Sequence, residues 1–190
     1  PPISRKPPTK RSFEIVVAGH LRVEKDPMRT AQAVQLLPAT SRIQILHMGK
    51  AIDETYRRNA HAEMERNPRY TWVGEVPRWK VRQKMARAQA MIISSRQEGG
   101  ANVVSEAIMA NLPIIASKID GNIGLLGTNY NGYYPAEDTQ ALTKLLVRIE
   151  IDATFLKKLS AQIRALKPQF TEKQELSSWR ALLGSLSRVS

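Results

Sequence analysis

The stretch SRQEGGANVVSEA, residues 95–107, follows the apolar run AMIISS (90–95) and opens an amphipathic segment. Gly99 and Gly100 stand where a strand gives way to a helix. Glycine there permits positive φ and lets a ligand approach the backbone. The free N–H groups of residues 100–103 would point past the helix start and, with the helix dipole, favour an anion such as phosphate. The carboxylates Glu98 and Glu106, with seven residues between them, do not fit a bare phosphate, which they would repel. They suit a ligand with hydroxyls at both ends and phosphate in the middle, the shape of a nucleotide sugar. The plainer reading is that Glu98 complements the helix N-terminus and Glu106 is exposed or ion-paired.

Outward from this stretch, short β-branched runs alternate with helical patterns. Strands are expected at FEIVVAG (13–19), RIQILHMG (42–49), RYTWVGEV (69–76), AMIISS (90–95) and LPIIAS (112–117), with a short sixth inside the glycine-rich loop 121–135. Helices are expected over 26–38, with Asp26 as cap and Pro27 at the first helical position, and over 53–67, 77–89, 102–111 and 138–150, with Asp138 as cap. Two further helical patterns lie near 152–166 and 171–187. Parallel neighbours need long crossovers, so this alternation predicts an α/β fold with a doubly wound parallel sheet of about six strands. In that architecture ligands bind beyond the strand carboxyl ends where strand order reverses. The usual reversal lies between strands one and four, whose ends are AGHLR and SRQEGGA.

Length, charge and cysteine content narrow the class. A chain of 190 residues holds one sizeable core or two small ones. Residues 1–12 contain four prolines and four basic residues and read as an extended linker. The body is assigned to 13–150, and 151–190 to helices packing on the same domain. The net charge of +12 favours polyanions or phosphorylated small molecules, or simply a solvated basic surface. No eighteen-residue apolar stretch occurs. There are no cysteines, which excludes disulfides and fits a cytoplasmic setting. Three scattered histidines form no metal-ligand pattern, so neither metal nor cofactor is expected.

The run EGGANVVSEAIMANLPIIAS (98–117) resembles the donor-binding domain of GT-B glycosyltransferases of the retaining, glycogen-synthase-like group, with their E-x7-E pattern. VVAGHLRVEKDP (16–27), NPRYTWVGEV (67–76), IDGNIGLL (119–126) and NGYYPAED (131–138) are similar, in order, to other segments of that family. The resemblance implies one Rossmann-like half of a GT-B enzyme that transfers a sugar from a nucleotide diphosphate sugar, a UDP-sugar for preference, without metal. It implies that Glu106 binds the ribose hydroxyls and Glu98 the donor hexose. Backbone N–H groups near Gly99, Gly100, Ala101 and Asn102 would hold the diphosphate or sugar. Lys25 would neutralise the diphosphate, Gly19 would let the backbone pass close to it, and the turn at Gly74 and Val76 would face the nucleobase. His20 stands where the family has arginine, with Arg22 as an alternative source of charge. Gly100, Ala101 and Gly124 replace a phenylalanine, a glycine and a glutamate. Several segments also look similar to a subfamily that includes the selenosugar synthases of selenoneine biosynthesis, which implies selenophosphate as acceptor. An N-terminal acceptor-binding domain of the same polypeptide would be the partner, so this chain alone is expected to bind nucleotide without turnover.

Other residues carry plainer expectations. His47 is expected to pack or hydrogen-bond near a strand end, and His61 to be solvated. Trp72 reads as core, with base stacking as the alternative, and Trp79 and Trp179 read as packed. Asn122 would hold a left-handed turn or bond a phosphate. A nucleotide-sugar epimerase of the same fold and a basic nucleic-acid-binding module are the competing functions. No aromatic–basic interleaving supports the latter.

Overall fold

In the computed structural model, residues 12–98 and 102–170 are described. Residues 1–11 of the linker assigned to 1–12, the turn residues Gly99, Gly100 and Ala101, and the helical pattern at 171–187 with Trp179 lie outside them. Six strands form one sheet: β1 (Phe13–Ala18), β2 (Ile43–Met48), β3 (Tyr70–Trp72), β4 (Ala90–Ile93), β5 (Ile114–Ser117) and β6 (Tyr133–Tyr134). Their order is β3-β2-β1-β4-β5-β6, and every pairing is parallel. The order reverses between β1 and β4, as the alternation of patterns predicts. β4 and β5 are buried at every position, the mark of strands covered on both faces.

The crossovers are α1 (Arg29–Gln35), α2 (Glu54–Arg66), α3 (Arg78–Met85), α4 (Asn102–Met109) and α5 (Asp120–Leu126). After β6 come α6 (Thr139–Ile151) and α7 (Ala153–Leu166). α6 buries Leu142, Leu146 and Ile149, and α7 buries Phe155, Leu159 and Ile163. Both sets belong to the same apolar cluster as Ile15, Ile45, Ile92 and Ile115. The i, i+3/i+4 spacing of these side chains therefore places both helices on the sheet's own core. Asp53 and Asp138 cap α2 and α6 by accepting from the N–H groups of Tyr56 (3.0 Å) and Ala141 (2.8 Å).

Three expectations are corrected. The helix expected from Asp26 begins at Arg29, because Asp26 is left-handed (φ 42°) and closes a 3-10 turn over Val23–Lys25. Pro27 therefore lies in a turn ahead of the helix. Its position is fixed by tertiary bonds: the Ser94 hydroxyl meets the Lys25 and Asp26 carbonyls at 3.0 Å each. The first part of the 121–135 loop is helix α5 instead, with Asn122 buried in it and helical rather than left-handed. The Asn122 amide donates to the Ser117 carbonyl (2.8 Å), tying α5 to the end of β5. Trp79 is 65% exposed, since the inward side of α3 is taken by Met85.

Ile15 is completely buried at the centre of the sheet, whereas Ile151 is exposed at the end of α6. Ile15→Ala should lower unfolding free energy by roughly 2–5 kcal/mol in urea titrations, through lost burial and a cavity. Ile151→Ala should change it by less than about 0.5 kcal/mol.

Candidate functional site

The carboxyl ends of β1 and β2 depart from a regular parallel ladder at one hydrogen bond. The Gly19 N–H donates to the Met48 carbonyl, the Leu21 N–H to the Lys50 carbonyl, and the Ile52 N–H to the Leu21 carbonyl. The bond a ladder would place between these, from the Lys50 N–H to the Gly19 carbonyl, is missing. Instead Lys50 N–H donates to His20 Nδ1 (3.1 Å), and the Gly19 carbonyl meets His47 Nε2 (3.1 Å). A carbonyl only accepts, so His47 carries its hydrogen on Nε2, and its Nδ1 accepts from the Tyr70 hydroxyl (2.8 Å). The neutral His20 ring, accepting at Nδ1, likewise carries its hydrogen on Nε2. His47 is fully buried, and desolvation lowers its pKa to about 4 against the opposing Gly19 hydrogen bond. Gly49 is obligatory here: a Cβ would stand 1.9 Å from the Gly19 oxygen.

Across the reversal, the loop after β1 meets the loop after β4. Backbone N–H groups of Arg96 and Gln97 donate to the Glu24 carbonyl (2.8 and 3.4 Å). Lys25 Nζ pairs with Glu98 Oε1, which also accepts from the Ser95 hydroxyl at 2.6 Å. The Glu98 side chain is only 7% exposed, so this pair is largely desolvated. Gly121 of α5 supports it from behind, where a Cβ would stand 2.1 Å from the Glu98 carbonyl oxygen.

These elements border a cavity of about 700 Å³ at the carboxyl edge of the sheet. Gly19, His20, Arg22, Lys25, Val76, Glu98, Asn102 and Glu106 all line it. The two glutamates therefore face one cleft, Glu98 before α4 and Glu106 from within it. Glu106 pairs with Arg78 of α3, which sequence reasoning missed; Glu75 also lines the cavity. Gly74 (φ 70°) is not a lining residue, but its carbonyl accepts from Gly49 N–H (2.8 Å) and so sets the turn that presents Glu75 and Val76. Gly99, Gly100 and Ala101 lie outside the described residues, and with them two of the four amides expected to act at 100–103. Trp72 packs against Leu21, Ala51 and Ala60, its indole N–H donating to the Gly49 carbonyl (2.8 Å). His61, exposed on α2, meets Trp72 edge-on. Among the described residues no group of three His, Asp or Glu could hold a metal ion, and no helix is long and apolar enough to cross a membrane.

The fold and this cleft define a doubly wound half-domain with a polar crevice at its switch point. Residues 2–166 match the family of glycosyl transferases group 1, and the chain belongs to that family. No curated protein matches it. Among solved structures it is similar to HepE of Anabaena in complex with UDP and glucose. There the identity is 19% and the TM-score 0.80, over 92% of this chain and 48% of the other. It is also similar to sucrose-phosphate synthase from Thermosynechococcus elongatus, with 21% identity, TM-score 0.79, and 96% and 47% covered. WaaG, a glycosyltransferase involved in lipopolysaccharide biosynthesis, gives 17% identity and TM-score 0.73, with 91% and 47% covered. At such identities the likeness establishes the fold, that of one half of a GT-B protein. The chain spans about half the length of these structures.

Two outcomes follow from the packing. Gly121→Ala should destabilise by roughly 1–3 kcal/mol in thermal or urea unfolding, because a backbone oxygen occupies the Cβ position. The folded-state pKa of His47 is depressed, so its contribution is complete above the unfolded value near 6.5 and falls as pH drops towards about 4. Urea unfolding should lose on the order of 3 kcal/mol from this group across that window, and His47→Gln should remove that component.

Proposed function

We propose that this chain is the donor-binding half of a glycosyltransferase and holds a nucleotide diphosphate sugar, a UDP-sugar for preference, in the 700 Å³ cleft. The observation that carries the reading is the placement of Glu98 and Glu106 on one cavity, on either side of the start of α4, with Lys25 between the loops. A volume of this size suits a ligand of nucleotide-sugar dimensions. Family membership and the UDP in the HepE structures support the same donor class.

In this reading Glu106 accepts from the ribose hydroxyls and Glu98 from hydroxyls of the sugar. Lys25 and the amides at the start of α4 meet the diphosphate, together with the Nε2–H of His20 and the Arg22 guanidinium. Transfer breaks the bond between the anomeric carbon and the diphosphate oxygen, and the electron pair stays on that oxygen. Donors already aimed at the developing charge lower the barrier without rearrangement. Lys25 and His20 are thus the leaving-group residues, and Glu98 fixes the sugar in reacting geometry. The turn carrying Val76 faces the nucleobase. A small oxyanion such as selenophosphate is the proposed acceptor on sequence resemblance, and an N-terminal domain of the same polypeptide would present it.

Calorimetric titration of the chain with UDP, UDP-glucose and ADP tests this. UDP and UDP-glucose should bind. Glu106→Ala should weaken both by roughly tenfold to hundredfold, the range of a hydrogen bond to a charged group. Glu98→Gln should weaken UDP-glucose more than UDP. Absence of binding by all three ligands in a folded sample would overturn the reading.

A further inference from the structure

We propose that His47, buried beneath the cleft and out of reach of its contents, is a positioning residue for the donor diphosphate. It acts by drawing the Gly19 carbonyl out of the β1–β2 ladder, which leaves the Lys50 N–H to lock the His20 ring. The proposal rests on the donor-binding reading above.

Three features of the strand ends combine here. First, the Gly19 carbonyl is held by His47 Nε2–H and not by the Lys50 N–H, its regular ladder partner. Second, the chain contains no cis peptide bond among the described residues, and in a planar trans peptide the C=O and the following N–H point in opposite directions. A Gly19 carbonyl turned towards buried His47 therefore turns the His20 N–H away from it. That N–H has no acceptor among the described residues, and both Gly19 and His20 line the cavity. Third, the released Lys50 N–H is taken up by His20 Nδ1, which leaves the neutral ring's hydrogen on Nε2.

The displaced ladder bond thus fixes the Nε2–H of His20 beside the backbone N–H of the same residue, which strand alternation already directs away from β2. Tyr70 completes the device: its hydroxyl donates to His47 Nδ1, so the His47 tautomer that holds the Gly19 carbonyl is the one its surroundings select. Gly49 makes room for the displaced oxygen, since any Cβ there would overlap it. Without the His47 donor, the Gly19 carbonyl would return to the Lys50 N–H. His20 Nδ1 would then lose its partner.

The test joins calorimetry with UDP to the nitrogen-15 spectra of the histidine rings, on wild type, His47→Phe and His47→Gln. Wild type should show the Nε2–H tautomer at both His47 and His20. In folded His47→Phe, His20 should become a mixture of tautomers and UDP affinity should fall about tenfold or more, the effect of losing one hydrogen bond to a charged group. His47→Gln, whose amide can reach the same carbonyl, should recover most of both. Wild type that binds UDP beside a folded His47→Phe that binds equally well overturns the inference alone. So does weakened binding with the His20 tautomer unchanged. Should His47→Phe fail to fold, an Nδ1–H tautomer at either histidine of the wild type overturns it. Wild type that does not bind UDP overturns the donor reading and this inference with it.

Discussion

A doubly wound sheet is open at one place, where neighbouring strands send their chains to opposite faces, and in this protein the Lys25–Glu98 ion pair spans that opening. Everything near the cleft is arranged about it. The 3-10 turn at Val23–Lys25 is anchored from the β4 side through the Arg96 and Gln97 amides and the Ser94 hydroxyl. Glu98 is seated on Gly121 and held by Ser95. A largely buried ion pair is a poor source of net stability, because desolvation offsets most of the attraction. Removing either partner alone leaves an uncompensated charge and costs about 3–5 kcal/mol. In the donor-binding reading such a pair is preorganisation: it fixes an ammonium and a carboxylate where a phosphate and a sugar hydroxyl would arrive.

The sheet was legible because its pattern is local. Buried parallel strands read as short β-branched runs, crossover helices as 3.6-residue periods, and their alternation leaves few topologies. Asp138 was legible as a cap for the same reason, its partner being three residues away. Asp26 was misread because its conformation is set by Ser94 and by the turn preceding it, contacts no helix signal encodes. Helix α5 was missed because Gly121 and Gly124 lower its helix propensity, and of the two only Gly121 answers a packing demand. Gly121 is small because of the Glu98 backbone, a reason visible only once β4 and α5 are side by side.

The same division runs through the site. Glu98, Glu106 and Lys25 carry a spacing and a family pattern, so they could be named from sequence, and all three line the cavity. Arg78 carries neither. It lies on a helix with several other basic residues, and only the approach of α3 to α4 singles it out. His47 was expected to pack or hydrogen-bond near a strand end. That it takes a carbonyl from the β1–β2 ladder depends on register, Val17 opposite His47 and Ala18 opposite Met48, which composition does not specify.

The two carboxylates differ in how they are held, and the difference bears on ligand entry. Glu98 and Lys25 are both mostly shielded, at 7% and 19% exposure, whereas Arg78 is 76% exposed and only its partner Glu106 is shielded. An exposed guanidinium regains water when it swings away, so on separation only the shielded Glu106 carboxylate is left in need of a partner. Separating Lys25 from Glu98 would strand a charge in a desolvated site. In the donor-binding reading, a hydroxyl reaching Glu106 would take the place of the guanidinium as that carboxylate's partner. In the same reading the phosphate end would meet a Lys25 already held by Glu98. The asymmetry thus lies in the cations: Arg78 is open to water and Lys25 is largely shielded from it.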